Sequence, residues 1–306
     1  MVKVSNALKF LGAVAASVAL LLLLVLRVTS CAHAPRQQPA PGATPPEVVE
    51  RRPDPPGCVS AGWTAAAQAN AQNLKRQAWA PFGRTEVGWE TYAPLLQREV
   101  GTACPPDSEG FAAAFAAWQD EHNLSPDGVV DETDFQFVKT AIQTRRDMVK
   151  LSAQGICPET ADEIAAARTD EGYMGKQVHL RPGALQAYRR MVAAARAEDP
   201  EIAADPRNLT IFSGYRSPSA DAARCAQEGN CDGVRRARCS PHRTGLAMDL
   251  YVGQAPGYPP DSSADPNRLF MSKTPTYRWL VANAGRFGFV NYPFEPWHWE
   301  WTGEQP

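Results

Sequence analysis

The sequence predicts an α+β fold: a C-terminal domain with a small antiparallel sheet flanked by helices follows a small all-α domain of three helices. Residues 246–252 alternate between apolar positions and Ala, Asp or Tyr, which is the period of a strand. Residues 182–197 carry apolar side chains at helical spacing after a proline in the first turn. Upstream, Phe111, Phe115 and Trp118 stand at offsets of four and three, which places them on one face of a helix.

The N-terminus carries an export signal. An apolar run at residues 10–26 follows two lysines, and the segment that ends at Cys31 is similar to the lipobox of bacterial lipoproteins. We therefore interpret residues 1–31 as a lipoprotein signal peptide, whose lipidated cysteine would tether an exported protein to a membrane and face it towards the periplasm or cell wall. An uncleaved anchor helix is the alternative, because about 20 apolar residues span a bilayer and this run approaches that length. Arg27, which lies close to the expected cleavage point, favours the anchor helix.

A proline-rich tether follows the signal segment. Residues 32–57 contain eight prolines and hardly a large apolar side chain. Such a stretch cannot bury a core, so we expect it to be semi-extended.

Six cysteines remain after Cys31, and an even number in an exported chain predicts up to three disulfides. Three precede residue 160 and three follow it, so complete pairing requires at least one bridge between the halves. A metal site in the last three is less favoured, because none of the gaps is the short spacing of zinc ribbons. The six are Cys58, Cys104, Cys157, Cys225, Cys231 and Cys239.

Residues 58–146 are interpreted as a compact helical domain. Asp107 or Ser108 is positioned to cap the aromatic helix, and Asp131 opens a second helix after a Pro-Asp-Gly turn. The run at residues 111–142 resembles the second half of a small three-helix peptidoglycan-binding domain, which implies contact with the cell wall.

The C-terminal domain is assigned to residues 173–306, after a connecting segment at 147–172. Within it, residues 174–180 are expected to be extended, and residues 209–212 have the composition of a short strand. A helix is expected at 276–286, with Gly288 just past its end as a C-cap.

Two short motifs concentrate candidate metal ligands. The first contains His242 and Asp249, and the second contains Glu295, His298 and Glu300. Imidazoles and carboxylates are the ligand types of a catalytic zinc ion, and one acid is left over to act as a base. Strand alternation turns Asp249 away from the core face, and it places His298 and Glu300 on a shared face. Glu295 would approach from another direction, because a proline at 296 interrupts the alternation.

The spacing within the two motifs is that of a known family. The pattern S-x-H-x-x-G-x-A-x-D followed by E-x-W-H, with Y-R-S upstream, resembles zinc D-alanyl-D-alanine carboxypeptidases of the VanY type, which are LAS-type metallopeptidases. The resemblance covers about residues 173–302. Its fixed positions are occupied here by Ser240, His242, Gly245, Ala247, Asp249, Glu295, Trp297 and His298, with Tyr215, Arg216 and Ser217 upstream.

The resemblance implies a mechanism. It assigns one Zn²⁺ per chain to His242, Asp249 and His298, and it implies attack by a zinc-bound water on the terminal D-Ala-D-Ala bond of peptidoglycan stem peptides. Glu295 is implied as general base and Arg216 as the side chain that steadies the developing oxyanion. The side chains expected to contact substrate or support the ligands are Ser240, Tyr215, Ser217, Trp297 and Glu300.

Two other functions are compatible with the same residues. An endopeptidase could cut cross-links or the L-Ala-D-Glu bond with this metal site, and a non-catalytic wall-binding protein could retain the fold. Nucleic acid is not an expected partner, because a formal net charge of −2 offers no electrostatic attraction to phosphates.

Overall fold

The computed structural model describes residues 53–157, 160, 163–228 and 239–306. The predicted lipidation site Cys31, the signal segment, most of the tether, Cys231 and the side chain of Cys225 lie outside the described residues. Among the residues that are described, no helix is both long and apolar enough to cross a membrane.

The N-terminal part holds four α-helices within residues 58–146, where three were predicted. The additional elements come from residues 78–100: a hairpin, a 3₁₀ turn at Glu90–Tyr92 and a short helix that ends at Gly101 in the left-handed conformation. The prediction missed them because the aromatic residues of this stretch follow no helical period. The elements are α1 (Thr64–Arg76), β1 (Ala78–Trp79), β2 (Glu86–Val87), α2 (Ala93–Val100), α3 (Glu109–Glu121) and α4 (Glu132–Gln143).

The caps of α3 and α4 are local and agree with the sequence. The Ser108 hydroxyl accepts a hydrogen bond from the backbone N–H of Phe111, at 3.1 Å. Asp131 and Asp134 form a reciprocal capping box at the start of α4. The predicted aromatic face of α3, which includes Phe115 and Trp118, is buried in the core of this part.

The segment interpreted as a connector has its own structure. It contains α5 (Asp147–Ala153) and β3 (Ala165–Ala166), which pairs antiparallel with β4 (His179–Leu180). The predicted extended stretch at 174–180 is only partly extended, because a 3₁₀ turn at Tyr173–Gly175 precedes β4.

The C-terminal part is built on the predicted antiparallel sheet. Its strands lie in the order β5 (Ile211–Ser213), β6 (Ala247–Leu250), β8 (Glu295–Trp301) and β7 (Phe289–Tyr292). The helices of this part are α6 (Pro182–Glu198), α7 (Pro200–Ala204), α8 (Pro218–Glu228), α9 (Asp265–Lys273) and α10 (Pro275–Asn283), and Gly288 lies just after the following 3₁₀ turn with φ 83°.

The strand β6 is buried on both faces. Met248 and Leu250 lie in the main core as the alternation predicted. On the opposite face, Tyr251 stacks on Tyr173 at 5.0 Å between ring centroids. Asp249 also points to this face and is covered, with only 7% of its surface exposed.

The helical and α/β parts pack directly against each other. Arg268 of α9 is 1% exposed; it donates a hydrogen bond to the Tyr92 hydroxyl and lies 3.2 Å from the Glu86 carboxylate. Beside this ion pair, the Phe82 ring contacts Phe294 at 5.2 Å between centroids. The interface thus combines aromatic packing with a buried charge pair.

Two disulfides lie within the described residues. Cys58 bonds Cys104 in the helical part, and Cys157 bonds Cys239 across the midpoint of the chain. The second bond is the bridge between the halves that cysteine parity predicted.

Candidate active site

His242 lies in a 3₁₀ turn, Pro241–Thr244, that leads into β6. The Ser240 hydroxyl caps this turn by accepting from the His242 backbone N–H at 3.3 Å. The His242 Nδ1 lies 2.8 Å from the Gly214 carbonyl oxygen. A carbonyl can only accept, so Nδ1 carries a proton and Nε2 is the ring nitrogen that faces Asp249 Oδ2, 3.3 Å away.

Strand register brings Asp249 and His298 together. The two residues are direct partners in the β6–β8 ladder, and Asp249 Oδ1 lies 2.9 Å from His298 Nδ1. Candidate ligand atoms of Asp249, His298 and His242 all lie within 4.8 Å of one another, and all three side chains are buried. Two residues nearly 50 positions apart in the sequence therefore meet because their strands pair at these positions.

Glu300 lies on the far side of the His298 ring. Its Oε1 is 3.1 Å from His298 Nε2 and 3.0 Å from Arg146 Nε. Burial alone would raise the pKa of the Glu300 carboxyl, but the Arg146 charge and the His298 contact outweigh burial and lower it to about 2. Glu300 is thus an anionic acceptor for His298 Nε2, and Nδ1 is the ring nitrogen that faces Asp249.

The cluster has the charge and donor set that zinc requires. Burial alone would raise the pKa of Asp249, but the charges and hydrogen bonds of His242 and His298 outweigh it and hold that pKa well below its usual value. Burial by itself lowers the pKa of His298, whereas its bonds to Asp249 and Glu300 raise it to about 9. Two oriented imidazoles and one carboxylate at this separation fit a tetrahedral zinc ion with one open position.

Glu295 faces the same centre from the start of β8. A β-bulge between Asn291 and Tyr292 shifts the β7–β8 register so that Tyr292 pairs with Glu295. A bulge redirects side chains locally, and the Asn291 amide fixes this one by donating to the carbonyls of Glu295 at 3.2 Å and His298 at 2.9 Å. The bulge, together with Pro296, accounts for the separate approach that the sequence predicted for Glu295.

Burial sets the protonation of Glu295. Desolvation raises the pKa of its carboxyl, with a further contribution from the negative charge of Asp249, while positive charge on His298 acts in the opposite sense. The Glu295 carboxylate therefore holds a proton more readily than an exposed glutamate.

Arg216 lies in the same cleft, tied to the loop of His242. Its backbone N–H donates to the His242 carbonyl at 3.1 Å. Its guanidinium donates to Asp221 Oδ1 at 3.0 Å, to the Ser213 hydroxyl at 3.2 Å and to the Ser240 hydroxyl at 3.4 Å. These contacts fix the orientation of the positive charge beside the cluster.

Seven of the residues singled out by the motifs line a cleft of about 1180 Å³. Tyr215 and Ser217 do not line this cleft among the described residues; the Ser217 hydroxyl instead accepts from the Ala220 N–H at the start of α8. Glu300 lies behind the His298 ring, outside the cleft lining. The motif residues that do line it are Ser240, His242, Asp249, Glu295, Trp297, His298 and Arg216.

Three contributors to the site carried no recognisable sequence signal. Arg146 and part of α5 line the cleft, although this region was interpreted as the boundary of a connector. Tyr292 also lines the cleft, with its ring edge-on to His298 at 6.2 Å between centroids. Asn291 holds the bulge. None of them belongs to a spaced motif, so only the three-dimensional arrangement reveals them.

The geometry agrees with a comparison against known protein families. Residues 177–304 match the family model VanY, described as D-alanyl-D-alanine carboxypeptidase. No curated protein is significantly similar to the chain. The match contains both motifs and all the candidate metal ligands, so residues 177–304 form a domain of the VanY D-alanyl-D-alanine carboxypeptidase family.

Proposed function

We propose that this protein is a zinc carboxypeptidase that removes the terminal D-alanine from peptidoglycan stem peptides. The family match at residues 177–304 supports carboxypeptidase chemistry in general. The observation that supports the finer proposal is the convergence of His242, Asp249 and His298 with Glu295 at one cleft.

The proposed ligands are His242 through Nε2, His298 through Nδ1 and the carboxylate of Asp249. A zinc ion with three protein ligands supplies a Lewis acid and lowers the pKa of water in its open position towards about 7. To serve as a ligand, His298 would have to be neutral, so its ring would lose the proton that Asp249 and Glu300 favour on it.

Glu295 is proposed to move the proton. Its raised pKa brings it closer to the working range of a general base than an exposed carboxylate would be. Glu295 would accept a proton as water oxygen bonds to the peptide carbonyl carbon. It would then donate that proton to the nitrogen as the C–N bond breaks and D-alanine leaves.

Arg216 is proposed to stabilise negative charge on the substrate. Its guanidinium is held in place by Asp221 and by the hydroxyls of Ser213 and Ser240. A preoriented cation needs little reorganisation when charge develops on the carbonyl oxygen, and one such donor is typically worth a few kcal/mol.

Arg243 is proposed to bind the terminal carboxylate of the substrate. It lines the cleft beside His242, and its Nε is buried without a hydrogen-bond partner in the described part of the chain. A buried donor without a partner is rare in native proteins and points to a ligand. Three other cleft cations donate to protein groups: Arg146 to Glu300, Arg216 to Asp221 and Lys176 to the Phe212 carbonyl.

The compartment follows from the substrate. Peptidoglycan lies outside the cytoplasm, so we propose an exported protein, tethered by lipid on Cys31 and facing the periplasm or cell wall. The bonds Cys58–Cys104 and Cys157–Cys239 fit an oxidising compartment.

Digestion of defined muropeptides tests the proposal. We expect a pentapeptide stem to give a tetrapeptide and free D-alanine, identified by mass spectrometry. Release of a dipeptide, or cleavage of cross-links without free D-alanine, would establish the endopeptidase alternative instead. Binding of muropeptides without any cleavage by the zinc-loaded protein would establish a non-catalytic role.

A further inference from the structure

The metal cluster is contacted by a residue from outside the family domain. Arg146 precedes residues 177–304 and occupies the N-cap position just before α5, yet its guanidinium lies against Glu300 near the C-terminus. Its Nε lies 3.0 Å from Glu300 Oε1, and one terminal nitrogen also donates to this oxygen. The two side chains are 8% and 6% exposed, so this ion pair is shielded from water.

The same carboxylate oxygen contacts a proposed zinc ligand. Glu300 Oε1 lies 3.1 Å from His298 Nε2, on the opposite side of the ring from Nδ1, which lies 2.9 Å from Asp249. A carboxylate that accepts from one nitrogen of a ligating histidine fixes both the tautomer and the ring orientation. The position of Glu300 therefore determines where Nδ1 of His298 points.

Glu300 needs a counter-charge to remain there as an anion. A buried carboxylate without a partner is costly, and removal of one member of a buried pair leaves the other charge uncompensated. Arg146 is the cation that meets this need, since two of its guanidinium nitrogens lie against Glu300 Oε1 and both side chains are buried.

Arg146 also contacts a second neighbour of His298. Its guanidinium lies over the Tyr292 ring at 4.6 Å from the centroid. Tyr292 in turn packs edge-on against His298. Arg146 thus contacts two of the groups that surround the imidazole, from an element that belongs to the upstream helical region.

We propose that Arg146 is a positioning residue of the metal site, which holds His298 in its ligating orientation through Glu300. The functional unit therefore extends upstream of the family domain, and α5 is part of the enzyme's active site rather than a linker. This inference rests on the proposed zinc site.

The test is a double-mutant cycle in the full-length protein, with Arg146→Met, Glu300→Gln and the double variant. The zinc dissociation constant is measured by competition with a chromophoric chelator, and the rate of zinc loss by chelator challenge. Loss of a partner that orients a metal ligand typically weakens metal binding about 10- to 100-fold. We expect Arg146→Met near the lower end of this range and Glu300→Gln within it.

The cycle separates positioning from simple stability. If Arg146 acts through Glu300, the double variant binds zinc no more weakly than Glu300→Gln alone, because coupled residues give non-additive effects. The visible spectrum of the Co²⁺-substituted protein should also change in Arg146→Met. The matched control is Arg189→Met, which breaks another ion pair to a buried carboxylate, Glu171, away from the cleft lining. This control should leave zinc affinity and the Co²⁺ spectrum unchanged.

Wild-type zinc affinity and release rate in a folded Arg146→Met variant would overturn the inference and leave Arg146 as an ion pair between parts of the fold. If Arg146→Met does not fold, the cycle is run with Arg146→Lys. The inference would likewise be overturned if Arg146→Lys left zinc affinity and release rate unchanged. It would also be overturned if Arg146→Lys weakened zinc binding by the same factor in the Glu300→Gln background as in the wild type. Failure of the wild type to bind about one zinc per chain would instead refute the proposed function.

Discussion

We propose that single residues of the cleft divide between metal binding and proton transfer, and substitution at Glu295 should separate the two. Glu295 lies beside the His–Asp–His cluster without belonging to it. We expect Glu295→Gln to retain about one zinc per chain and to lose 10²- to 10⁴-fold in kcat, the usual contribution of a general base. Elemental analysis and D-alanine release measure the two properties.

The matched variant at this scale is His298→Ala, which removes a proposed ligand. It should lose zinc as well as activity. A Glu295→Gln enzyme with unchanged turnover would refute the role of the base, and stoichiometric zinc in His298→Ala would refute the ligand set.

A second residue-scale prediction concerns recognition of the substrate terminus by Arg243. We expect Arg243→Gln to raise KM for a stem peptide with a free terminal carboxylate by about 10- to 100-fold, since a charge-assisted hydrogen bond contributes about 1.5–3 kcal/mol. Zinc content should not change. The comparison substrate is the same peptide with an amidated terminus: discrimination between the two should shrink in the variant. Equal discrimination in both proteins would exclude Arg243 as the anchor.

At the scale of elements, the start of α4 contains a carboxylate whose environment opposes ionisation. Burial and the nearby charge of Asp131 raise the pKa of Asp134 to about 6. The folded state therefore holds this proton more tightly than the unfolded chain, where the pKa is about 4. By linkage, stability falls as pH rises through this interval, from about 4 to 6.

Asp134→Asn should remove that loss of stability. The amide oxygen of the substituted side chain can still accept from the Asp131 N–H and from Gln119, so the capping box survives. We expect the variant to be more stable than the wild type at pH 7.5, on the order of 1–2 kcal/mol after allowance for screening by solvent. At pH 4 the two should be nearly equal. Urea unfolding at both pH values measures the difference in the free energy of unfolding between the variant and the wild type. Equal destabilisation of the variant at pH 4 and pH 7.5 would contradict the prediction.

At the scale of the whole molecule, the Cys157–Cys239 bond joins the segment after α5 to the turn that carries His242. It closes a loop with a sequence separation of 82 residues. Such a crosslink stabilises a fold by up to about 4–5 kcal/mol on chain-entropy grounds. Cys239 directly precedes Ser240, the cap of the His242 turn.

Replacing both cysteines of that bond with serine should lower the unfolding temperature and also speed zinc loss to a chelator. The Cys58–Cys104 bond is the control, because its sequence separation of 46 lies within the helical part and its cysteines do not line the cleft. Removing it should lower stability while zinc loss keeps the wild-type rate. Identical zinc kinetics in both double variants would show that the Cys157–Cys239 bond acts on stability alone.

The sequence alone determined the parts of this protein that depend on local order. Apolar period identified β6 and the aromatic face of α3, and cap residues located the starts of α3 and α4. Spaced motifs brought forward the His–Asp–His cluster, because His242 and Asp249 keep a fixed spacing on a turn and the strand that follows it, and His298 lies in a second short motif on β8.

Only the tertiary structure decided what surrounds that cluster. Arg146 meets Glu300 across 154 positions, and no local pattern encodes a contact between such distant residues. The β7–β8 bulge held by Asn291 and the position of α5 along the cleft also depend on contacts between distant parts of the chain. Strand pairing and packing between the two parts of the fold determine them, so they emerge only when the whole chain is folded.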